Sequence, residues 1–275
     1  KQVPKTFLLG VGAQKAGTSW LHDQLHRRAD ADFGFLKEYH VLDALTLDSF
    51  KSFRPHQPPP WRWRTWRRYR FLKQSDRYFD YFDDLLKKPK IKLTGDITPS
   101  YGCLSAETLR WVREQFHERG IATKVVFILR DPVERVLSQQ RMKLRKIGKL
   151  EPENEIEHLR KAARKLLNKP SQRSDYSKTI KTLYASFKRD DVLVELYEQL
   201  FNELIFKRLC NHLNIDYLPP NWDQRINESS ATISTPDDIL ELIGISQSNT
   251  FRSLISLCPE LNLKERWPTA SRWCV

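Results

Sequence analysis

Short apolar runs alternate with helical patterns along this chain, and no other feature constrains its fold as strongly. Five apolar runs are predicted to form strands: 6–11, 32–36, 91–94, 124–129 and 192–196. Helices are predicted at 19–28, 105–119, 151–168, 174–188 and 202–212, with two more beginning at Pro132 and near Pro236. Apolar strands separated by helices are typical of an α/β fold, in which helices cover both faces of a central parallel sheet. Because ligands in such folds bind at the carboxyl ends of the strands, chemistry is expected at the strand-to-helix junctions.

Composition indicates a basic globular protein. The chain has 275 residues, of which 40% are hydrophobic, and 47 Lys and Arg against 34 Asp and Glu give a net charge of +13. No repeat or compositional boundary divides it, so we expect one domain over residues 1–275. The excess of positive charge favours an anionic partner, which could be a nucleotide, an acidic glycan, a membrane surface or nucleic acid.

Neither a membrane span nor a disulfide scaffold is expected. No apolar run reaches about 18 residues, and residues 1–11 resemble a first strand more than a signal peptide. The four cysteines match no metal-binding spacing and are widely scattered, although a Cys258–Cys274 bridge stays open. We therefore expect reduced thiols and a cytoplasmic setting, with the luminal domain of a secretory-pathway enzyme, its anchor removed, as the alternative.

The junction after the first strand has the composition of an anion-binding loop. Residues 10–19 read GVGAQKAGTS, and their small side chains let backbone amides at a helix N-terminus approach an anion. Lys15 adds a full charge, and Thr18 and Ser19 add hydroxyl donors. Gly12 and Gly17 fit the P-loop frame, but Thr18 stands where a nucleoside triphosphatase carries its lysine. The loop is therefore predicted to hold fewer phosphates than a triphosphate.

A second phosphate-binding pattern follows the most apolar strand. Arg130 ends that strand and Ser138 lies eight residues further on, about two helical turns into the next helix. A guanidinium can chelate a phosphate in two places, and a hydroxyl adds one donor. Asp131 is predicted to cap the helix, and Arg135 to lie at the surface or in an ion pair.

These two patterns, in this order, resemble the cofactor motifs of sulfotransferases that use 3'-phosphoadenosine 5'-phosphosulfate (PAPS). Residues 14–21, QKAGTSWL, are similar to the 5'-phosphosulfate loop, and residues 130–138, RDPVERVLS, to the 3'-phosphate motif. The resemblance covers about residues 6–215 and extends to carbohydrate and heparan-sulfate enzymes and their bacterial relatives. It implies a P-loop-like three-layer fold, PAPS as donor, the desulfated nucleotide PAP as product, no required metal and no nucleic-acid partner.

The resemblance also implies roles for individual residues. Lys15 would neutralise the bridging and 5'-phosphate oxygens, and Arg130 and Ser138 would hold the 3'-phosphate. The remaining cofactor-binding residues implied are Ala16, Gly17, Thr18, Ser19 and Tyr176.

The segment after the second predicted strand is similar to the Lys-Glu-x-His segment of carbohydrate sulfotransferases. It reads Leu36-Lys37-Glu38-Tyr39-His40. The resemblance implies that Glu38 is the general base, which the reaction needs because an acceptor hydroxyl is a poor nucleophile. His40 stays open as the rival base, because an imidazole suits the same task. Lys37 is predicted to bind cofactor or acceptor.

Two further segments are predicted to face the acceptor. Residues 94–101 are similar to a Thr-Pro-x-Tyr segment of related enzymes, in which Asp96 could bind a sugar hydroxyl. Residues 61–70 interleave five arginines with three tryptophans and a tyrosine. There Arg62 and Arg64 are predicted to bind an anionic glycan or lipid-linked sugar. The alternative for this stretch is an arginine-rich helix packed by its aromatic residues.

Together these observations predict in-line transfer of a sulfuryl group from PAPS to a hydroxyl, or less readily an amine, of a carbohydrate-containing acceptor. Glu38 would be the base, and Lys15 would stabilise the leaving phosphate oxygen. Two alternatives stay open at this point, a P-loop nucleotide kinase and a non-enzymatic protein that binds polyanions.

Overall fold

The central element is a parallel sheet that is buried on both faces. The structure is a computed structural model that describes residues 5–169, 171–224, 231 and 233–273. Within these ranges the strands are β1 (Thr6–Gly12), β2 (Leu93–Ile97), β3 (Ala122–Leu129) and β4 (Val192–Leu196). All neighbours pair in parallel, in the order β2–β1–β3–β4. Every residue of β1 and β2 is buried, which explains why these strands read as continuous apolar runs.

Helices surround this sheet, so the prediction of an α/β fold with a central parallel sheet is confirmed. In chain order they are α1 (Thr18–His26), α2 (Leu42–Thr46), α3 (Trp63–Lys73), α4 (Asp76–Lys87), α5 (Ala106–Glu118), α6 (Pro132–Lys146), α7 (Pro152–Asn168), α8 (Tyr176–Tyr184), α9 (Glu203–His212), α10 (Asp237–Leu257), α11 (Leu263–Arg266) and α12 (Pro268–Trp273). No helix in the described ranges is both long and apolar enough to cross a membrane. Cys274, one half of the disulfide left open above, lies outside the described residues.

The predicted strand at 32–36 is wrong. The segment contacts β2 through a single isolated bridge between Ala31 and Leu93 and through hydrogen bonds of the Asp32 backbone, its amide to the Leu93 carbonyl and its carbonyl from the Thr94 hydroxyl, but it forms no strand. The carboxylate of Asp32 accepts a hydrogen bond from the Gly34 amide at 2.9 Å, and Gly34 has a φ of 73°. A side chain that bonds the backbone two residues on forms a turn and competes with strand pairing.

Helices α2 and α4 were not predicted, whereas α3 corresponds to the arginine-rich helix that was the alternative for residues 61–70. Helix α3 covers most of the Arg/Trp stretch, because the prolines that break regular structure end at Pro60. Helix α4 buries Tyr78, Phe82 and Leu85 on one face, a helical spacing that is present in the sequence. Both helices pack beside the segment that follows α1, since Phe71 of α3 contacts the rings of Phe35 and Tyr39.

The pairing of β1 with β3 brings two strand ends together. Gly12 pairs with Phe127, and the Ala13 amide donates to the Ile128 carbonyl at 2.7 Å. The loops that follow these two strands therefore begin side by side at the carboxyl edge of the sheet.

Asp131 caps α6, as predicted, and also holds the C-terminal region. One carboxylate oxygen accepts from the Val133 and Glu134 amides at 2.9 and 3.4 Å, and the other accepts from the Ala270 amide at 3.1 Å. Helix α12 is thereby fixed to the loop that follows β3.

Candidate active site

A cleft of about 870 Å³ opens at the carboxyl ends of β1 and β3. Its walls come from the loop after β1, the segment after α1, the residues that follow β2, β3 and β4, helix α6 and a short turn at Gln172–Ser174 ahead of α8. Charged and polar side chains dominate the wall; the lining residues used below are Lys15, Gly17, Thr18, Ser19, Lys37, Glu38, His40, Phe53, Arg130, Arg145, Lys146 and Arg173.

The loop after β1 ends in a glycine that no other residue replaces easily. Gly17 is the N-cap of α1 with a φ of 77°, and an added Cβ would lie 2.8 Å from a methyl carbon of Leu200. No side chain caps α1, and its first turn contains no acidic residue. The start of this helix therefore presents backbone amides and the positive end of the helix dipole to the cleft.

Cations crowd around Lys15. Burial lowers the pKa of the Lys15 ammonium, and the charges of Arg130, Arg145, Lys146 and Lys37 lower it further. Positive groups that repel one another in a partly buried cleft are stabilised when an anion lies among them. The chemistry of these donors and the volume of the cleft fit a nucleotide that carries several phosphate oxygens.

Arg130 stands at the junction of the two loops. Its Nη1 donates to the Lys15 carbonyl at 3.0 Å, and its guanidinium lies 4.8 Å from the ring centre of Tyr197. These contacts hold the guanidinium next to the first loop and leave it at the wall of the cleft. Ser138, on α6, is only 2% exposed and is not among the residues that line the cleft.

Tyr176 does not face the cleft, contrary to the predicted nucleotide contact. Its side chain is fully buried, and its hydroxyl donates to the Arg130 carbonyl at 3.1 Å. The structure therefore places Tyr176 behind Arg130, where it supports the backbone of that residue. The ring packs against Phe127 and Trp267.

Lys37 connects the first loop with the predicted base. Its Nζ donates to Ser19 Oγ at 2.6 Å and lies 2.8 Å from Oε1 of Glu38. Ser19 belongs to the first turn of α1, whereas Glu38 lies in the segment between α1 and α2. One ammonium group thus brings the predicted base to the edge of the anion-binding loop.

His40 lies between two carboxylates. Its Nε2 is 3.3 Å from Glu38 Oε2, and its Nδ1 is 2.7 Å from Oδ2 of Asp43, which is fully buried. Burial lowers the pKa of His40, but hydrogen bonds with Asp43 and Glu38 outweigh burial and raise the pKa to about 9. Burial likewise raises the pKa of Glu38, but His40 and Lys37 outweigh it and lower the pKa to about 2. Near neutral pH, Glu38 is therefore ionised and His40 carries a proton on each ring nitrogen.

The acceptor contact predicted for Asp96 requires correction, because this residue is fully buried. Its carboxylate accepts hydrogen bonds from the hydroxyls of Thr98, Tyr101 and Tyr78 at 2.6, 2.7 and 2.9 Å. It also accepts from the Tyr39 amide at 3.3 Å. With its oxygens occupied in this way, Asp96 supports the backbone beside Glu38 and cannot reach an acceptor.

Arg62 and Arg64 lie outside the cleft, at the exposed beginning of α3. The guanidinium of Arg64 lies 5.3 Å from the ring centre of Trp63, and Trp61 is 80% exposed. The same part of the chain reaches the cleft through Phe53, which stacks on His40 with 3.9 Å between ring centres.

Several residues of the site were missed from the sequence. Asp43 follows His40 at helical spacing, a signal that could have found it, and Arg145 and Lys146 belong to a basic run in α6. Arg135, predicted at the surface or in an ion pair, is fully buried instead. Its guanidinium donates to Gln139 and to the Ser174 hydroxyl, which no sequence pattern indicates.

Comparisons with known proteins identify the family of the chain and support its fold. The family model described as "Sulfotransferase domain" matches residues 5–230. The structure is similar to that of a sulfotransferase from Alicyclobacillus acidocaldarius, with a TM-score of 0.60, 18% sequence identity, and coverage of 93% of this chain and 96% of that chain. It is also similar to the sulfotransferase domain from the curacin biosynthetic pathway, with a TM-score of 0.52, 15% identity, and coverage of 94% and 98%. At these identities the structural likeness shows the fold alone. A search of curated proteins gave no match.

The charge state of His40 leads to a pH prediction. We expect its imidazole to titrate in an NMR experiment with a pKa of about 9, and in Glu38→Gln we expect a lower value because one stabilising charge is gone. His212, whose pKa is lowered to about 4 by burial, is an internal reference. Because the folded pKa lies above the ordinary 6.5, the stability that His40 contributes is complete below pH 6.5 and is lost as pH rises through about 9. A His40 that titrates near 6.5 in the unmodified protein would contradict the described network.

Proposed function

The chain belongs to the sulfotransferase family, and on that premise we propose that it moves the sulfuryl group of PAPS to a hydroxyl of a carbohydrate-containing acceptor. Membership of this family decides against the kinase and the polyanion-binding protein considered above. The proposal that Glu38 is the general base is supported above all by one observation. Lys37 bridges Ser19 and Glu38, so the base lies one side chain away from the loop proposed to hold the phosphosulfate.

The basic wall of the cleft supports an assignment of the cofactor contacts. In this proposal Lys15, Ala16, Gly17, Thr18 and Ser19 hold the 5'-phosphosulfate, through the Lys15 ammonium, backbone amides and two hydroxyls. Arg130 holds the 3'-phosphate, and Arg145, Lys146 and Arg173 supply further positive charge along the cleft. Only the motif supports Ser138 as a second ligand of the 3'-phosphate, since its side chain is buried and does not line the cleft. No metal is required, since fixed cations perform the task of charge neutralisation.

The proposed chemistry is a single in-line displacement. PAPS supplies an activated sulfuryl group. Glu38 accepts the proton of the acceptor hydroxyl while the hydroxyl oxygen forms its bond to sulfur and the bond from sulfur to the bridging phosphate oxygen breaks. Lys15 stabilises the negative charge that develops on that phosphate oxygen. Glu38 and Lys15 both line the cleft, and Lys37 joins Glu38 to Ser19 of the same anion-binding loop that contains Lys15.

The charge states favour Glu38 over His40 as the base. A base needs an available lone pair, and a protonated His40 has none, because each ring nitrogen carries a proton directed at a carboxylate. Glu38 is ionised and half-exposed to the cleft. In this proposal His40 orients Glu38 through the contact to Oε2.

An anionic acceptor is supported by the distribution of charge. Residues 48–73 contain eight Lys and Arg and a single Asp, so much of the net charge of +13 lies in this segment. Phe53 of the segment lines the cleft and stacks on His40, which supports a role for this segment on the acceptor side. We propose that Arg62 and Arg64 attract the acidic groups of the acceptor, with the exposed indoles of Trp61 and Trp63 available to stack on sugar rings.

The proposed base is tested by Glu38→Gln. This change keeps the shape of the side chain but removes the proton acceptor, so we expect kcat to fall about 10²–10⁴-fold while PAP affinity stays unchanged. The assay uses labelled PAPS and whichever member of a carbohydrate panel the unmodified protein sulfates. Glu114→Gln, an exposed position on α5, is the matched control. Near-normal kcat in Glu38→Gln together with an inactive His40→Ala would assign the base to histidine.

The proposed acceptor surface is tested by the double variant Arg62→Gln/Arg64→Gln. We expect a higher KM for the acceptor and a weaker dependence of that KM on salt, because two screened attractions are removed. The KM for PAPS should not change, since neither side chain lines the cleft. Lys161→Gln/Arg164→Gln removes two exposed charges from α7 and is the control. An unaltered acceptor KM would leave this helix with a packing role alone.

A further inference from the structure

The segment that carries Glu38 and His40 has no regular secondary structure of its own. It runs between α1 and α2, and His40 has a φ of 49°, in the left-handed region that non-glycine residues seldom occupy. Its backbone is nonetheless well buried, since Tyr39 and Val41 are fully inaccessible. Buried carbonyl and amide groups outside helices and strands need partners, and a left-handed residue persists only where its surroundings fix it.

The amides of this segment are held from the sheet side. The Tyr39 amide donates to Asp96 and to the Thr98 hydroxyl, and the Val41 amide donates to the Tyr101 hydroxyl at 3.2 Å. These partners all belong to β2 or to the residues that follow it. The carbonyl groups of the segment, in contrast, need hydrogen-bond donors from another element.

Arg68 of α3 supplies that second set of contacts. Its Nε donates to the Tyr39 carbonyl, and its Nη2 donates to the His40 carbonyl at 2.7 Å and to the Phe53 carbonyl at 2.6 Å. Burial lowers the pKa of the Arg68 guanidinium, while Tyr101, Asp43 and Asp96 oppose this effect. A planar guanidinium can bond several acceptors in fixed directions, which suits it to clamping three carbonyl groups at once.

The helix that carries Arg68 is itself fixed against the core. Phe71, one turn along α3 on the same face, is buried among the rings of Phe35, Tyr39 and Tyr81. Packing of α3 therefore fixes the position of Arg68, and the hydrogen bonds of its guanidinium fix the backbone around His40 in turn. Phe53, the third residue whose carbonyl it holds, stacks on the His40 ring with an angle of 5° between the planes.

From this geometry we infer that Arg68 is a positioning residue of the reaction, holding Glu38 and His40 in the arrangement that the proton transfer needs. The inference rests on the proposed role of Glu38. Arg68 touches neither end of the Lys37 bridge and does not line the cleft, so it acts through the backbone alone. Its place within the Arg/Trp stretch gives that stretch a second task besides the acceptor surface at Arg62 and Arg64.

The first test is kinetic. In Arg68→Ala we expect kcat to fall about 10–100-fold, the effect of a misplacement on the order of 1 Å, with an unchanged affinity for PAP. Arg110→Ala, at an exposed position on α5 outside the Arg/Trp stretch, should keep normal kcat. Free guanidinium ion should restore part of the kcat of Arg68→Ala, and Arg68→Lys should be intermediate, because an ammonium group cannot reproduce the planar fork.

The second readout is the pH profile, which a merely structural role would not move. Glu38 faces Lys37 and His40 from its own segment and His22 from α1. Because the pKa of Glu38 is about 2, kcat/KM of the unmodified protein should not fall at mildly acidic pH, so its pH profile should show no acidic limb there. In Arg68→Ala the contact from His40 loosens, so the pKa of Glu38 rises toward its ordinary value and an acidic limb appears at higher pH.

The outcomes separate this inference from the proposal on which it rests. Normal kcat and an unshifted acidic limb in a folded Arg68→Ala, beside an inactive Glu38→Gln, would overturn the inference and leave the base in place. Normal kcat in Glu38→Gln would instead remove the base. If Arg68→Ala does not fold, the same two readouts on Arg68→Lys decide, and full kcat with an unshifted limb in that variant overturns the inference.

Discussion

The parallel pairing of β1 with β3 is the constraint on which the site depends. It brings the ends of two strands to one edge of the sheet, where Ala13 donates to Ile128 and Arg130 donates to the Lys15 carbonyl. Two sequence motifs that lie more than a hundred residues apart thereby share one wall of the cleft. Asp131 and Tyr176 then secure the end of β3 from behind, through the cap of α6 and the Arg130 carbonyl.

Charge explains how this edge becomes selective for an anion. Burial lowers the pKa of Lys15 and the neighbouring cations lower it further, so the folded protein holds these positive charges close together in spite of their repulsion. The few carboxylates nearby are already engaged, since Glu38 contacts Lys37 and His40, and Asp43 contacts His40. In the proposed function, a nucleotide with phosphate groups at both ends of its ribose would relieve this repulsion.

The sequence predicted the residues at strand ends better than the direction of buried side chains. Lys15 and Arg130 line one cleft because each follows a strand that local patterns predict, whereas Glu38 reaches the same cleft from the segment between α1 and α2, where the predicted strand at 32–36 does not form. Asp96 and Tyr176 also follow from a motif, but both are turned into the core, because their orientation depends on neighbours distant in sequence.

The missed elements have similar causes. The turn at Asp32 depends on one side chain that bonds the backbone and outcompetes the apolar pattern of a strand. The contact of Arg68 with the His40 carbonyl joins residues 28 positions apart and leaves no mark in the local pattern of either segment.

The paired phosphate sites are tested most directly by calorimetry that compares the binding of PAP with that of adenosine 5'-phosphate, which lacks the 3'-phosphate, in the presence of a metal chelator. For the unmodified protein we predict that PAP binds more tightly by about 1.5–3 kcal/mol, and that Arg130→Ala removes most of this difference while binding adenosine 5'-phosphate normally. A difference that survives unchanged in Arg130→Ala, or that appears only with added metal, would contradict the paired phosphate sites.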